Sequence, residues 1–103
     1  MTILRINKVY FDLIVSGTKK SEWRQLSKYN KKLLLKDRGD GKLDGNKEIT
    51  KIKFINGYSA NAPQLIKEIE FIRVCRFGKD IVIESDNFKA LEGQFAIEIK
   101  FKK

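Results

Sequence analysis

The 103-residue sequence predicts a small α+β domain: a curved sheet of five or six mostly antiparallel strands, closed or nearly closed into a barrel, with two or so short helices at its ends. Three observations lead there. Two stretches with helical character, each behind a capping residue, fall in the first third of the chain. After residue 50 come runs rich in β-branched and aromatic residues, the last of them alternating strictly. One of those runs, QLIKEIEFIRVCRF, carries apolar residues on both alternation classes, as a strand does when it bends or changes face at a barrel corner.

The elements follow in order. TILRI alternates as a strand. NKVYFDLIVSG predicts a helix capped by Asn7, with Val9 or Tyr10, Leu13 and Ile14 at i, i+3, i+4 spacing. Gly17 stands at C′, where a left-handed backbone costs glycine least. KKSEWRQL then leaves as a strand, and SKYNKKLLLK predicts a second helix capped by Ser27, with Leu33, Leu34 and Leu35 partly buried. The charged, glycine-punctuated segment 36–50 is expected to be a mobile hairpin tip or loop. KIKFING, QLIKEIEFIRVCRF, DIVIES and QFAIEIKFK complete the strands. In the last, Phe95, Ile97, Ile99 and Phe101 are expected inside, with Ala96, Glu98 and Lys100 facing out. With no repeat or linker, residues 1–103 form one domain.

Composition limits the chemistry. Apolar content of 42% and a single proline describe a folded globule. No apolar run approaches the roughly 20 residues that span a bilayer. The opening MTILRINKVYF lacks a basic leader ahead of an apolar stretch, and Cys75 has no second cysteine to pair with. A cytoplasmic monomer with no membrane partner is expected. The absence of histidine, with only one cysteine, removes imidazole triads and zinc sites of the usual kind. A carboxylate-only metal site would need a close acidic cluster that the sequence does not display, and neither a metal nor a cofactor is expected. Any catalytic group must come from Lys, Asp, Glu, Tyr, Ser or Thr. Twenty-two Lys and Arg against thirteen Asp and Glu give a net charge of +9, which draws such a domain to polyanions.

Some strings in the loop mislead. DGKLDGNKEITK resembles a calcium loop, yet Lys42 and Lys51 stand where ligands belong. Its glycines do not reach P-loop spacing, and RGD at 38–40 is turn chemistry.

Residues 16–24, SGTKKSEWR, hold more. In a strand, Lys20, Glu22 and Arg24 would share one face, with Lys19, Ser21 and Trp23 on the other. Two readings are open: an ion-pair ladder on a solvated face, or the polar floor of a pocket presenting carboxylate and guanidinium to a base or phosphate. Trp23 reads as core or barrel rim. In INGYSANAP, Asn-Gly marks a turn, and Tyr58 either stacks on a base or caps the core edge.

With FDLIV before it, SGTKKSEWR resembles the signature of ASCH domains, which have the PUA-like barrel fold. That signature is a helix ending in glycine, then a lysine, a glutamate three residues on and an arginine two further. Here these are Gly17, Lys19, Glu22 and Arg24. INGYSANAP resembles the NGY…AP segment of small bacterial and phage ASCH proteins, through Asn56, Gly57, Tyr58, Asn61, Ala62 and Pro63. SKYNKKLL resembles the tyrosine-and-basic helix between the two motifs, with Tyr29 and Lys32. The resemblance runs from about residue 3 to 74.

The resemblance implies recognition of nucleic acid, RNA first, or of a nucleotide, in a cleft beside the helix that ends at the glycine. The ligand-binding residues it implies are Lys19, Lys20, Glu22, Arg24, Tyr29, Lys32, Asn56, Tyr58 and Asn61. Some small members resemble amidohydrolases acting on N4-acetylcytidine through a lysine and a threonine of the motif and a distant glutamate. Lys19 matches that lysine, but Glu22 takes the threonine's place. In that alternative Lys19 and Glu22 would be the catalytic pair. A third alternative is a non-catalytic regulatory factor that binds protein.

Overall fold

The computed structural model describes residues 1–78, 81–83, 88–90 and 93–103, with 81–83 and 88–90 described by their backbone. The chain opens with strand β1 (Thr2–Ile6), helix α1 (Lys8–Val15) and strand β2 (Ser21–Gln25). Helix α2 (Lys28–Leu34) runs straight into β3 (Leu35–Asp37), which pairs with β4 (Leu43–Gly45). Then come β5 (Lys51–Asn56), the long β6 (Gln64–Arg76), a hairpin of β7 (Ile81–Ile83) and β8 (Phe88–Ala90), and β9 (Phe95–Phe101). Of DIVIES, only 81–83 lie within the described residues.

The main sheet has five strands in the order β1-β5-β6-β9-β2 and curls into a half-barrel. It is mixed: β1 runs parallel to β5, and the other three pairings are antiparallel. The curl comes from β6. Its first part pairs with β5 and its second part with β9, and the register shifts between Ile69 and Phe71. A bulge there increases local twist and lets one strand turn the corner between two partners. This is the bend expected from the mixed alternation of QLIKEIEFIRVCRF.

The helices begin and end as their residues dictate. The Asn7 side chain accepts the Tyr10 N–H at 3.3 Å, and Ser27 accepts from Asn30 at 3.1 Å. Gly17 follows the C-cap at φ +80°. The buried face of α1 is Phe11 and Ile14, with Tyr10 and Leu13 half-buried, while Val9 is exposed. Phe11 and Ile14, with Tyr10 packed against them, join Leu4, Ile6, Leu34, Leu35, Ile52, Phe54, Ile97, Ile99 and Phe101 in one core. The 36–50 segment holds the turn and second strand of the short β3–β4 hairpin, and several of its charges pair. Arg38 bridges Asp40 and Asp44, and Asp40 also accepts the Lys42 N–H. Gly45 crosses against β6 so closely that a Cβ there would collide with the Ile72 carbonyl.

The final strand corrects an expectation. Phe95 is 49% exposed, whereas Ala96 and Glu98 are buried. The reason is that the outer face of β6, β9 and β2 is itself furnished. Glu98 accepts from Ser21 at 2.9 Å and from Arg73 at 2.7 Å, and Trp23 packs on Phe77 at 5.5 Å. Cys75 lies 3.8 Å from the Glu98 carboxylate. Burial first, and then the Glu98 charge, push its thiol up, while Arg73 pulls the other way.

That shift has a definite sign. A thiol raised by folding contributes fully below the ordinary value of 9.0, and the contribution is lost as pH rises through its raised native value. The urea midpoint should therefore fall more for wild type than for Cys75→Ala as pH rises above about 9. Parallel pH profiles for the two proteins would contradict this reading of Cys75.

Candidate functional site

Strand β2 places Glu22 opposite Ile99 and Arg24 opposite Ile97. Directly opposed residues share a sheet face, so both side chains enter the layer that holds the apolar core. Glu22 is 0% exposed there, and an ionised carboxylate survives such burial only when its lone pairs are taken up. Arg24 supplies Nε at 3.0 Å and Nη2 at 2.7 Å to Oε2. Oε1 accepts the Trp23 N–H at 3.2 Å and lies 3.5 Å from the Lys19 ammonium. The side chains of Lys19 and Arg24 are themselves only 9% and 13% exposed.

Lys19 differs from the alternation-based expectation, which put it across the sheet from Glu22. The ladder of β2 starts only at Ser21, paired with Lys100. Residues 18–20 are a connection, and the Lys19 N–H turns back to the Leu13 carbonyl at 3.0 Å. Its side chain therefore swings inward, with Nζ 6.0 Å from the centre of the Tyr10 ring. Lys20 is exposed, and its carbonyl accepts the Phe101 N–H.

The Arg24 guanidinium has a second task. Its Nη2 also donates to the Arg5 carbonyl at 3.1 Å. Strands β1 and β2 are the two edges of the open sheet, so this bond spans the seam that a closed barrel would fill with a ladder. Alternate residues of a strand turn their backbone groups to the same edge, so Ile3 presents its N–H and C=O to the seam as well.

A cleft of about 480 Å³ lies along the seam, lined by Ile3, Leu4, Arg5, Arg24, Tyr29, Asn30 and Tyr58. A second, of about 420 Å³, adjoins it and is lined by Arg5, Ile6, Asn7, Lys8, Asn56, Gly57 and Tyr58. Neither lining includes an acidic side chain. Tyr29 is 71% exposed and Tyr58 85%. The Arg5 guanidinium stands 4.8 Å over the Tyr58 ring and donates Nη1 to the Gly57 carbonyl at 2.5 Å. A third cleft, of about 540 Å³, sits by the β6 bulge, and its charges are mixed: Asp44 and Glu70 beside Lys47, Arg73 and Lys102.

The residues expected at a site thus divide. Lys19, Glu22 and Arg24 form one buried ion cluster, and through Arg24 it reaches the cleft where Tyr29 and Tyr58 stand. Asn56 lines the adjoining cleft. Lys20, Lys32 and Asn61 are exposed and line none of the three clefts. Arg5 was missed by the sequence reading. Its signal was a cation at an outward position of a strand leading straight into a capped helix, which has no specificity by itself. Among the described residues no group of three Cys, Asp or Glu side chains could hold a metal ion.

Loss of one member of a buried pair leaves an uncompensated charge. Arg24→Met should therefore cost about 3–5 kcal/mol of unfolding free energy, and Glu22→Gln a similar amount. Lys19→Met should cost less, because its ion pair with Glu22 is longer than that of Arg24. Urea titration measures all three, and an Arg24→Met protein as stable as wild type would show that the cluster does not hold the seam.

No protein-family model matches the chain, and neither a curated protein nor a solved structure matches it.

Proposed function

We propose that the protein is a nucleic-acid-binding domain, with RNA as its first class of ligand, and that it takes unpaired bases in the seam between β1 and β2. The observation that carries this reading is the make-up of the cleft. Two exposed tyrosines flank two arginines and an asparagine, with no carboxylate in the lining. Stacking rings beside guanidinium groups are the means by which proteins hold single-stranded nucleic acid, the rings taking base faces and the cations taking phosphates. The net charge of +9 adds a long-range attraction for the same ligand. The resemblance to ASCH domains, and the PUA-like fold it implies, point the same way. A free nucleotide would use the same groups with fewer contacts.

The amidohydrolase alternative draws less support. A lysine acts as base or nucleophile near neutral pH when it can shed its proton and reach the substrate. Lys19 is ion-paired to a fully buried carboxylate, which favours its charged form.

Fluorescence anisotropy with a labelled single-stranded RNA octamer tests the proposal. If two or three phosphates are neutralised, log Kobs should fall with log salt at a slope of about −1.4 to −2.1. Tyr58→Ala should weaken binding by about 1–3 kcal/mol without altering the unfolding midpoint appreciably. Binding insensitive to both salt and Tyr58 would contradict the proposal.

A further inference from the structure

The two clefts at the seam share two walls, Arg5 and Tyr58, and no other residue appears in both linings. The stacked Arg5–Tyr58 pair is therefore a ridge between two adjoining compartments. Each compartment has the volume of a site for one small ligand, since such sites run from roughly 300 to 1,000 Å³. Each also has its own polar side chains, Arg24 and Asn30 on one side and Asn7 and Asn56 on the other.

The ridge itself is prepared for an anion. Arg5 is held at one nitrogen by the Gly57 carbonyl and from one face by Tyr58. No carboxylate pairs with it among the described residues, and its remaining donors point to no protein acceptor there. Three of the other four arginines have an acid beside them: Arg24 has Glu22, Arg38 has Asp40 and Arg73 has Glu98. A fixed, unneutralised guanidinium between two base-sized compartments matches a nucleic-acid strand, in which an anionic phosphate links each base-bearing unit to the next.

Resting on the nucleic-acid reading above, we infer that the groove recognises a dinucleotide step of a single strand, one nucleotide in each compartment and the linking phosphate at Arg5. The ligand class is then an oligonucleotide of two or more residues rather than a free nucleotide. Tyr58 contributes to both compartments, and Tyr29 to the one nearer α2.

Competition distinguishes the possibilities. A labelled single-stranded RNA octamer bound to the full chain is displaced with mixed-sequence pools of nucleoside 5′-monophosphates, nucleoside 5′-diphosphates and 5′-phosphorylated dinucleotides. The diphosphates match the dinucleotides in charge. The dinucleotides should compete at least about tenfold better than the diphosphates, a gain within the range that one stacked base supplies. In Arg5→Ala and Tyr58→Leu the dinucleotide-to-diphosphate ratio should fall toward one, with Arg5→Lys between them and wild type. Both positions are exposed, so unfolding midpoints near wild type accompany the expected result. Equal competition by diphosphates and dinucleotides would overturn the two-compartment inference while leaving a single-nucleotide site intact. Failure of the octamer to bind at all would remove the nucleic-acid reading and this inference with it.

Discussion

The Arg24 guanidinium bridges the open seam of this fold. The sheet order leaves β1 and β2 as open edges, and Arg24 on one edge donates from Nη2 to the Arg5 carbonyl on the other while Nε and the same Nη2 hold Glu22. An open edge presents unpaired backbone groups, and proteins cover, pair or blunt such edges. Here a side chain does the bridging. Because it spans the gap without filling it, the seam stays wide enough to be a cleft, and the residues around that cleft are those that a barrel ladder would have hidden.

The buried carboxylate makes sense in this light. Placing Glu22 among Ile97 and Ile99 costs desolvation free energy that its ion pairs only roughly offset, so the cluster is a weak source of stability compared with an apolar replacement. Its effect is on geometry. A guanidinium is planar and has donors on fixed vectors, so gripping Nε and Nη2 with one carboxylate oxygen fixes where the rest of the group stands. Arg24 is thereby aimed at the Arg5 carbonyl across the seam. Lys19 offsets the remaining charge from the opposite side, beneath Tyr10 of α1.

Much of the fold was legible because its signals are local. The caps at Asn7 and Ser27, the left-handed Gly17 and the bend in β6 each follow from a few adjacent residues. What was not legible depends on partners far along the chain. The parallel pairing of β1 with β5 involves residues some 50 positions apart and leaves no mark on either strand's pattern. Burial of Ala96 and Glu98 follows from Ser21 and Arg73, which meet Glu98 only after β2 and β6 flank β9. The candidate site divides in the same way. Glu22 and Arg24 were placed on one face by strand alternation alone, but Lys19 joins them through a connection to which alternation does not apply. Arg5 acquires its significance only from Tyr58 and Gly57, brought beside it by the β1–β5 pairing.

The central claim is that the seam held by Glu22 and Arg24 is where the ligand sits, and backbone amide NMR tests it most directly. Titrating the labelled protein with a single-stranded RNA octamer should shift the amides of Ile3 to Arg5, Arg24, Tyr29, Asn30 and Asn56 to Tyr58. The amides around the third cleft, from Asn46 to Thr50 and from Glu70 to Arg73, should stay in place. Shifts confined to that third cleft, or scattered over the exposed lysines with none at the seam, would contradict it.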